Sequence, residues 1–403
     1  MTEHMNEPLR RRSRRVPSAS VLAVGAFVAL TACTGGDAPS PYDGEIGSTD
    51  LSASCPDTVT VQVDWFPGAE EAHLYELFDA SGEGADAVTV DADAKRVTGP
   101  LFDGDNGYTG VDLEIRSGGP AIGNQSVTSL MYQDPDIMLG YVNMDSAVQH
   151  STDMPTVSVM STLDKSPHMI MWDPETHPDV HAIEDLGDEG VDVLYFSDET
   201  YMKYLIGEGI LDESQTDSSY DGSPSNFVAS DGEKAQQGFS STEPYQYEHE
   251  VEGWMRPVDY QLVHDTGFQT YKSTLAVKAD QLETQSDCLR GLVPVFQRGL
   301  ADYMDTPEDT NSFIVDVVDQ FNAGWIYGVD IADYGATTMR DEGLVANGTD
   351  GTLGSFDGSR VSTLVDQLGP IFAVQGTPVA HGLISEDLYT NEFLDTAVTL
   401  RKR

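Results

Sequence analysis

The sequence predicts an α/β protein, with largely parallel sheets flanked by helices and enough chain for two domains. Three observations predict it. Strand-like runs of β-branched and apolar residues alternate with helical patterns, which argues for α/β layers. The alternation begins near residue 58 and recurs in kind from about Val191. The 403 residues are 39% hydrophobic, enough to build real cores.

The elements follow in order. Thr58–Val63 alternates and is β-branched, so it reads as the first strand. Ala69–Ala80 reads as a helix with Leu74, Leu77 and Phe78 on one side. Val111, Leu113 and Ile115 alternate within a strand over Gly110–Ile115, which runs into Ser117-Gly118-Gly119-Pro120. A helix is expected over Ala121–Met131, then strands at Ile137–Val142, Thr156–Met160 and Met169–Trp172, then a short helix over His181–Leu186. In the second part, a strand covers Val191–Phe196 and a helix Glu199–Glu208. Asn226–Ser230 reads as strand-like, Asp231–Gly238 as helix-like, and Val258–Val263 as a strand. Long helices are expected over Asp287–Met304, from Thr306-Pro307-Glu308 onward, and over Ile331–Glu342 and Ser359–Ala373.

The beginning of the chain has a different character. Five arginines (Arg10, Arg11, Arg12, Arg14, Arg15) precede eleven mostly apolar residues, Ser20–Leu30, which end at Leu30-Thr31-Ala32-Cys33. A basic segment, a short apolar run and small residues are the parts of an export signal. The run is shorter than the roughly 20 apolar residues that span a bilayer. Leu-Thr-Ala-Cys resembles a lipobox, so residues 1–32 are expected to be a signal peptide. Cys33 would then be the lipidated N-terminus, on the outer face of a bacterial cytoplasmic membrane. Arg14-Arg15 leaves the export route open between the general and twin-arginine systems. Residues 33–56, rich in Gly, Ser, Pro and Asp, are expected to be a flexible tether.

Charge excludes whole classes of partner. The chain carries 21 basic and 68 acidic residues, a net charge of −47; without residues 1–32 it is −50. Such a surface repels phosphate backbones and anionic lipid headgroups, so nucleic acid is not expected as a partner. Two readings of the charge remain, solubility in salt-rich surroundings and preference for a cationic ligand. Beyond Cys33 there are two cysteines, Cys55 and Cys288, a possible disulfide in an exported protein. Two cysteines alone do not establish a bridge.

Val63-Asp64-Trp65-Phe66-Pro67, at the end of the first strand and before His73-Leu74-Tyr75, resembles the opening of substrate-binding proteins for thiamine pyrimidine precursors. These belong with the nitrate/sulfonate/taurine-type binding proteins of ABC importers. Arg116-Ser117-Gly118-Gly119-Pro120-Ala121, Ile183-Glu184-Asp185-Leu186-Gly187 and Ala235–Tyr245 resemble, in order, that family's glycine-rich loop, its element opening the second lobe and its acidic-Pro-Tyr segment. The second of these lacks the family's Lys. The resemblance implies a two-lobed, periplasmic-binding-protein-like clamshell (class II). Its lobes would be 57–163 with 273–403, and 164–272, crossing near Leu163–Ser166 and His264–Lys272. It implies a monomer that captures a small molecule and delivers it to an ABC permease.

In open α/β sheets, ligands sit beyond the carboxyl ends of strands. Candidate ligand-binding residues are therefore Asp64, Trp65, Phe66, Ser117, Gly118 and Gly119 in the first lobe. Ser197, Tyr220, Asn226, Glu243 and Tyr245 are candidates in the second. A nitrate or sulfonate site would want Arg or Lys aimed at the anion, and only Arg116 adjoins a candidate loop. Aromatics with carboxylates suit a flat, neutral or cationic ring, so a pyrimidine- or vitamin-like heterocycle is the preferred ligand class.

Enzyme readings find little support. There is no HExxH, GxSxG, Walker A or CxxC, and the nine histidines have no metal-ligand spacing. No cofactor or metal is expected. Asp103-x-Asp105-x-Gly107 approaches a calcium loop but has Tyr108 where the turn glycine belongs. A secreted lipoprotein hydrolase and an anion-binding protein are the alternatives.

Overall fold

β1 (Thr58–Gln62) sits at the centre of the fold. After exposed Thr58, its residues 59–62 are buried on both faces, as expected for a strand covered by helices on each side. The computed structural model describes residues 42–401, apart from Glu83 and Asp198. The expected signal peptide, Cys33 and the first part of the tether lie outside the described residues.

The first half continues through α1 (Ala72–Glu76), β2 (Thr89–Asp91), β3 (Arg96–Phe102), β4 (Tyr108–Arg116), α2 (Val127–Gln133), β5 (Leu139–Val142), α3 (Met144–Gln149) and β6 (Thr156–Met160). Then come β7 (His168–Trp172), α4 (Ile183–Glu189), β8 (Val193–Leu194), α5 (Thr200–Gly207), β9 (Thr216–Asp217), α6 (Ser225–Ala229), β10 (Ala235–Phe239), α7 (Glu243–His249) and β11 (Asp259–Leu262). The chain closes with β12 (Thr274–Lys278), α8 (Leu282–Asp305), α9 (Glu308–Phe321), α10 (Val329–Asp341) and α11 (Gly358–Val374).

The strands form two sheets, giving a two-lobed α/β molecule. One has the order β2-β3-β4-β1-β5-β12-β6 and the other β11-β7-β10-β8-β9. Parallel pairing holds β4, β1 and β5 together in the first sheet and β10, β8 and β9 in the second. Antiparallel pairs flank these centres. β3 turns back into β4 through a short 3₁₀ turn, and β12 returns from the second sheet between β5 and β6. The sheets are thus mixed, because a short connection or a returning chain permits antiparallel pairing where a crossover helix would impose parallel.

The chain crosses between the sheets twice, over residues 161–167 and 263–273. The two crossings touch through an antiparallel bridge between Leu163 and Lys272. α8 packs on α1, with Leu289, Leu292, Val293, Phe296 and Leu300 buried at helical spacing. α11 packs on both α3 and α5, so it touches helices of both sheets.

Several expectations need correction. The fold begins before residue 57. Gly47 and Leu51 donate backbone hydrogen bonds to Tyr108 and Thr109, Leu51 is buried, and Cys55 is bonded to Cys288 (Cα–Cα 4.7 Å). One apolar residue and one cysteine dock a stretch whose composition otherwise reads as linker. Asn226–Ser230 is helical and the strand lies in the following piece, over Ala235–Phe239. That strand is buried although it carries two glutamines, each of which bonds a tyrosine, while Gln236 Oε1 is left without a partner. Gln236 Nε2 donates to Tyr247 Oη (2.7 Å), and Gln237 Oε1 accepts from Phe196 N (2.6 Å) and Tyr201 Oη (2.8 Å). The expected helix over Ala69–Ala80 is helical only at Ala72–Glu76.

Candidate ligand-binding site between the lobes

The carboxyl ends of β1, β4 and β5 lie side by side, and each empties into a loop at the same edge of the first sheet. They lead to Asp64-Trp65, Ser117-Gly118-Gly119 and Asn143. β12 runs the other way, so the residues that precede it, Lys272 and Ser273, reach the same edge. Asp64 Oδ2 accepts from Lys272 Nζ at 2.7 Å and from Ser273 Oγ at 2.9 Å, while Ser273 N donates to Asn143 Oδ1 at 2.9 Å. Burial works against the Lys272 ammonium, but Asp64 beside it raises its pKa, so it stays charged.

The glycine pair is explained by close approach. Gly118 N donates to Trp65 O (2.8 Å), and a Cβ at Gly118 would lie 2.3 Å from Val63 O. At Gly119, with φ of +55°, a Cβ would meet the Trp65 indole at 2.5 Å. The loop thus supports the Trp65 ring, and Gly118 N is already committed to the Trp65 backbone carbonyl. Trp65 is partly buried and packs edge-on against Trp325 (6.2 Å) and at a tilt against Phe196 of the second lobe (6.4 Å).

The second lobe presents the ends of its parallel strands in the same way. β8 leads to Phe196 and exposed Ser197, β9 to Tyr220, and β10 to Ser240, Ser241 and Glu243. Tyr220 is buried and its ring packs at a tilt against Phe196 at 4.7 Å. Glu243 is half-buried at the start of α7, and its Oε2 accepts from Phe239 N at 2.7 Å. Burial pushes its pKa up to about 7. Burial does the same to Glu199, also to about 7, at the start of α5. Ser241 Oγ donates to Glu70 Oε1 across the interlobe boundary. Burial raises Glu70 and, further, Glu71, which has Glu70 and Asp64 as anionic neighbours.

The structure therefore brings together Asp64, Trp65, Ser117, Gly118, Gly119, Tyr220 and Glu243 around the line where the lobes meet. It places other candidates elsewhere. Phe66 is a core residue, 4% exposed. Asn226 is exposed on α6 and bonds back to Ser219 O (3.4 Å). Tyr245 faces away, against His249 (4.6 Å) and Tyr334 of α10 (5.5 Å). Asp103 cannot serve calcium, since both its oxygens accept from Arg298, at 2.6 and 2.8 Å. Among the described residues, no group of three or more His, Cys, Asp or Glu is arranged to hold a metal, and no helix is long and apolar enough to cross a membrane.

Sequence reasoning missed Lys272, Glu70, Glu199, Ser241 and Trp325. Glu70 lay three residues past the Trp-Phe-Pro turn and was visible. The others come from distant segments and have no local signature.

Residues 106–310 match the family described as NMT1/THI5 like. The chain belongs to that family. None of the curated proteins matches its sequence. Among solved structures, the periplasmic aliphatic sulphonate binding protein SsuA from Escherichia coli aligns over 86% of this chain and 93% of its own. The identity is 11% and the TM-score 0.50. A protein from Bordetella bronchiseptica RB50 aligns over 84% of this chain and 96% of its own, at 11% identity and a TM-score of 0.50. The NMT1/THI5-like chain therefore has the fold of periplasmic binding proteins. Fold alone does not name a ligand.

Proposed function

We propose that this protein is the extracytoplasmic solute-binding component of an ABC importer, anchored as a lipoprotein through Cys33, and that it captures a small heterocycle between its lobes. The lobes are taken as 57–163 with 273–403, and 164–272. The observation that carries the reading is the interlobe line itself, where Trp65, Phe196, Tyr220 and Trp325 supply aromatic faces. Glu70, Glu199 and Glu243 supply acceptors at its edge. Lys272 is a cation there, and it is spent on Asp64. Flat aromatic walls with carboxyl oxygens as acceptors favour a ring bearing N–H or amino donors over a sulfonate or nitrate. Closure of two lobes about two crossings is the motion that would trap it. The loaded protein would pass the solute to a membrane permease, and the anchor would keep it concentrated there.

The test is a thermal-shift screen of the purified chain against heterocycles, amines and anions, followed by native mass spectrometry. A ligand that binds only the folded state must raise its melting temperature. A heterocyclic or cationic hit without turnover is the expected result. With that ligand, Trp65→Ala and Glu243→Ala are each expected to weaken binding roughly tenfold or more. A panel in which only anions bind, or in which neither variant matters, would overturn the site assignment.

A further inference from the structure

Residues 342–360 lie outside the stretch that matches the family, yet they grip both crossings between the lobes. Glu342 closes the end of α10. Its Oε2 accepts from Ser240 Oγ (2.7 Å) and its Oε1 from Tyr260 Oη (2.6 Å), both on the second lobe. Its backbone carbonyl accepts from Lys165 Nζ (3.2 Å), and Leu344 O accepts from Asp164 N (2.6 Å), both on the first crossing. Arg360, in the first turn of α11, holds both crossings at once. Nη2 donates to Asp164 O (2.6 Å) and Thr270 O (2.9 Å), Nε to Gln269 O (2.7 Å), and Nη1 to Asp164 Oδ1 (3.3 Å). Its guanidinium lies 3.7 Å from the centre of the Tyr271 ring, and Tyr271 Oη accepts from Asp357 N (2.8 Å). Beyond these bonds, α11 rests on α3 of one lobe and α5 of the other.

We propose that residues 342–360 form a collar on the hinge that sets the angle between the lobes, with Arg360 and Glu342 as its two grips. The proposal rests on the capture reading, because only a protein that opens and closes uses its hinge angle. A bare pair of crossings bends freely through a few backbone dihedrals. Here each degree of bending shears hydrogen bonds to a charged side chain, and these are stronger than neutral ones. The collar holds the lobes at the contact angle, at which Ser241 meets Glu70 and Trp65 meets Phe196. It thereby raises the fraction of molecules already competent to grip a ligand.

The test places spin labels at exposed Gln125 and Ser218, at the cleft ends of the two lobes, and reads their distance in the protein with nothing added. One dominant distance is expected for the unaltered chain. Arg360→Ala and Glu342→Ala should add a longer population, shifting the ratio of contact to open forms roughly tenfold. Arg360→Lys keeps the charge but loses the fork, and Glu342→Gln keeps the shape but loses the charge and turns one of the two acceptor oxygens into an NH2 donor, so both should shift the ratio the same way. These two conservative variants carry the test if either alanine variant fails to unfold cooperatively. Distances equal to those of the unaltered chain in the folded variants would overturn the collar. Because no ligand enters the measurement, a screen in which nothing binds would remove the capture reading while the distances still decide the collar.

Discussion

Lys272 has about a tenth of its side chain exposed and donates to Asp64 at 2.7 Å. Breaking a mostly buried pair by removing one partner leaves the other charge stranded. Lys272→Met is expected to cost about 3 kcal/mol of stability, read as a lowered denaturant midpoint with an unchanged slope. Asp64→Asn with Lys272→Met should recover part of that loss, since no lone charge is left. Gly119→Ala places a methyl group against the Trp65 indole at a backbone angle that disfavours any side chain. It should cost about 1–3 kcal/mol and shift the tryptophan fluorescence, which Gly123→Ala, where a Cβ meets nothing within 4 Å, should not do. Asp64 and Trp65 could be singled out from sequence because they sit directly after a strand that alternates cleanly. Lys272 could not, because the partner that gives it meaning is 208 residues away.

Among the elements, those with strong periodicity are found where the sequence places them, and those governed by distant contacts are not. β1, β5, α8 and α11 bury continuous apolar stripes, and their residues announce it. β10 reads as polar because the partners that let its glutamines be buried, Tyr201 for Gln237 and Tyr247 for Gln236 Nε2, are not revealed by local sequence. β2 and β3 were not foreseen at all, since Gly99-Pro100 within β3 argues locally against a strand. That proline is tolerated at an irregular step in the pairing with β4. The Cys55–Cys288 bond fastens the segment ahead of β1 to α8, closing a loop of 233 residues. Cys288→Ser is expected to cost about 2–5 kcal/mol, seen as a lower melting temperature that reductant no longer changes.

For the molecule as a whole, buried titratable groups set how stability varies with pH. Burial raises Glu199 and Glu243 from an ordinary 4.5 to about 7, and Glu70 and Glu71 move the same way. Near pH 7 the folded chain begins to hold protons on Glu199 and Glu243 that the unfolded chain has released, so stability rises as pH falls through 7. His73, pushed down to about 3 by burial, and His264, pushed down to about 4, work in the opposite sense. Burial lowers His168 as well. Below about 6.5 the unfolded chain takes up protons that these histidines refuse, and stability is lost there. The melting temperature should therefore climb by about 2 °C between pH 8 and pH 6.5 and then flatten. Glu243→Gln should remove close to half of the climb. The net charge of −47 was legible from composition, but which carboxyls are buried depends on the meeting of the two lobes. The disulfide has a mechanical consequence too. Tension applied along the chain from before Cys55 meets the bonds of Gly47 and Leu51 to β4 and then reaches α8 through a covalent link before it can peel β1 from its neighbours, so the load path bypasses the strand that leads into Asp64 and Trp65.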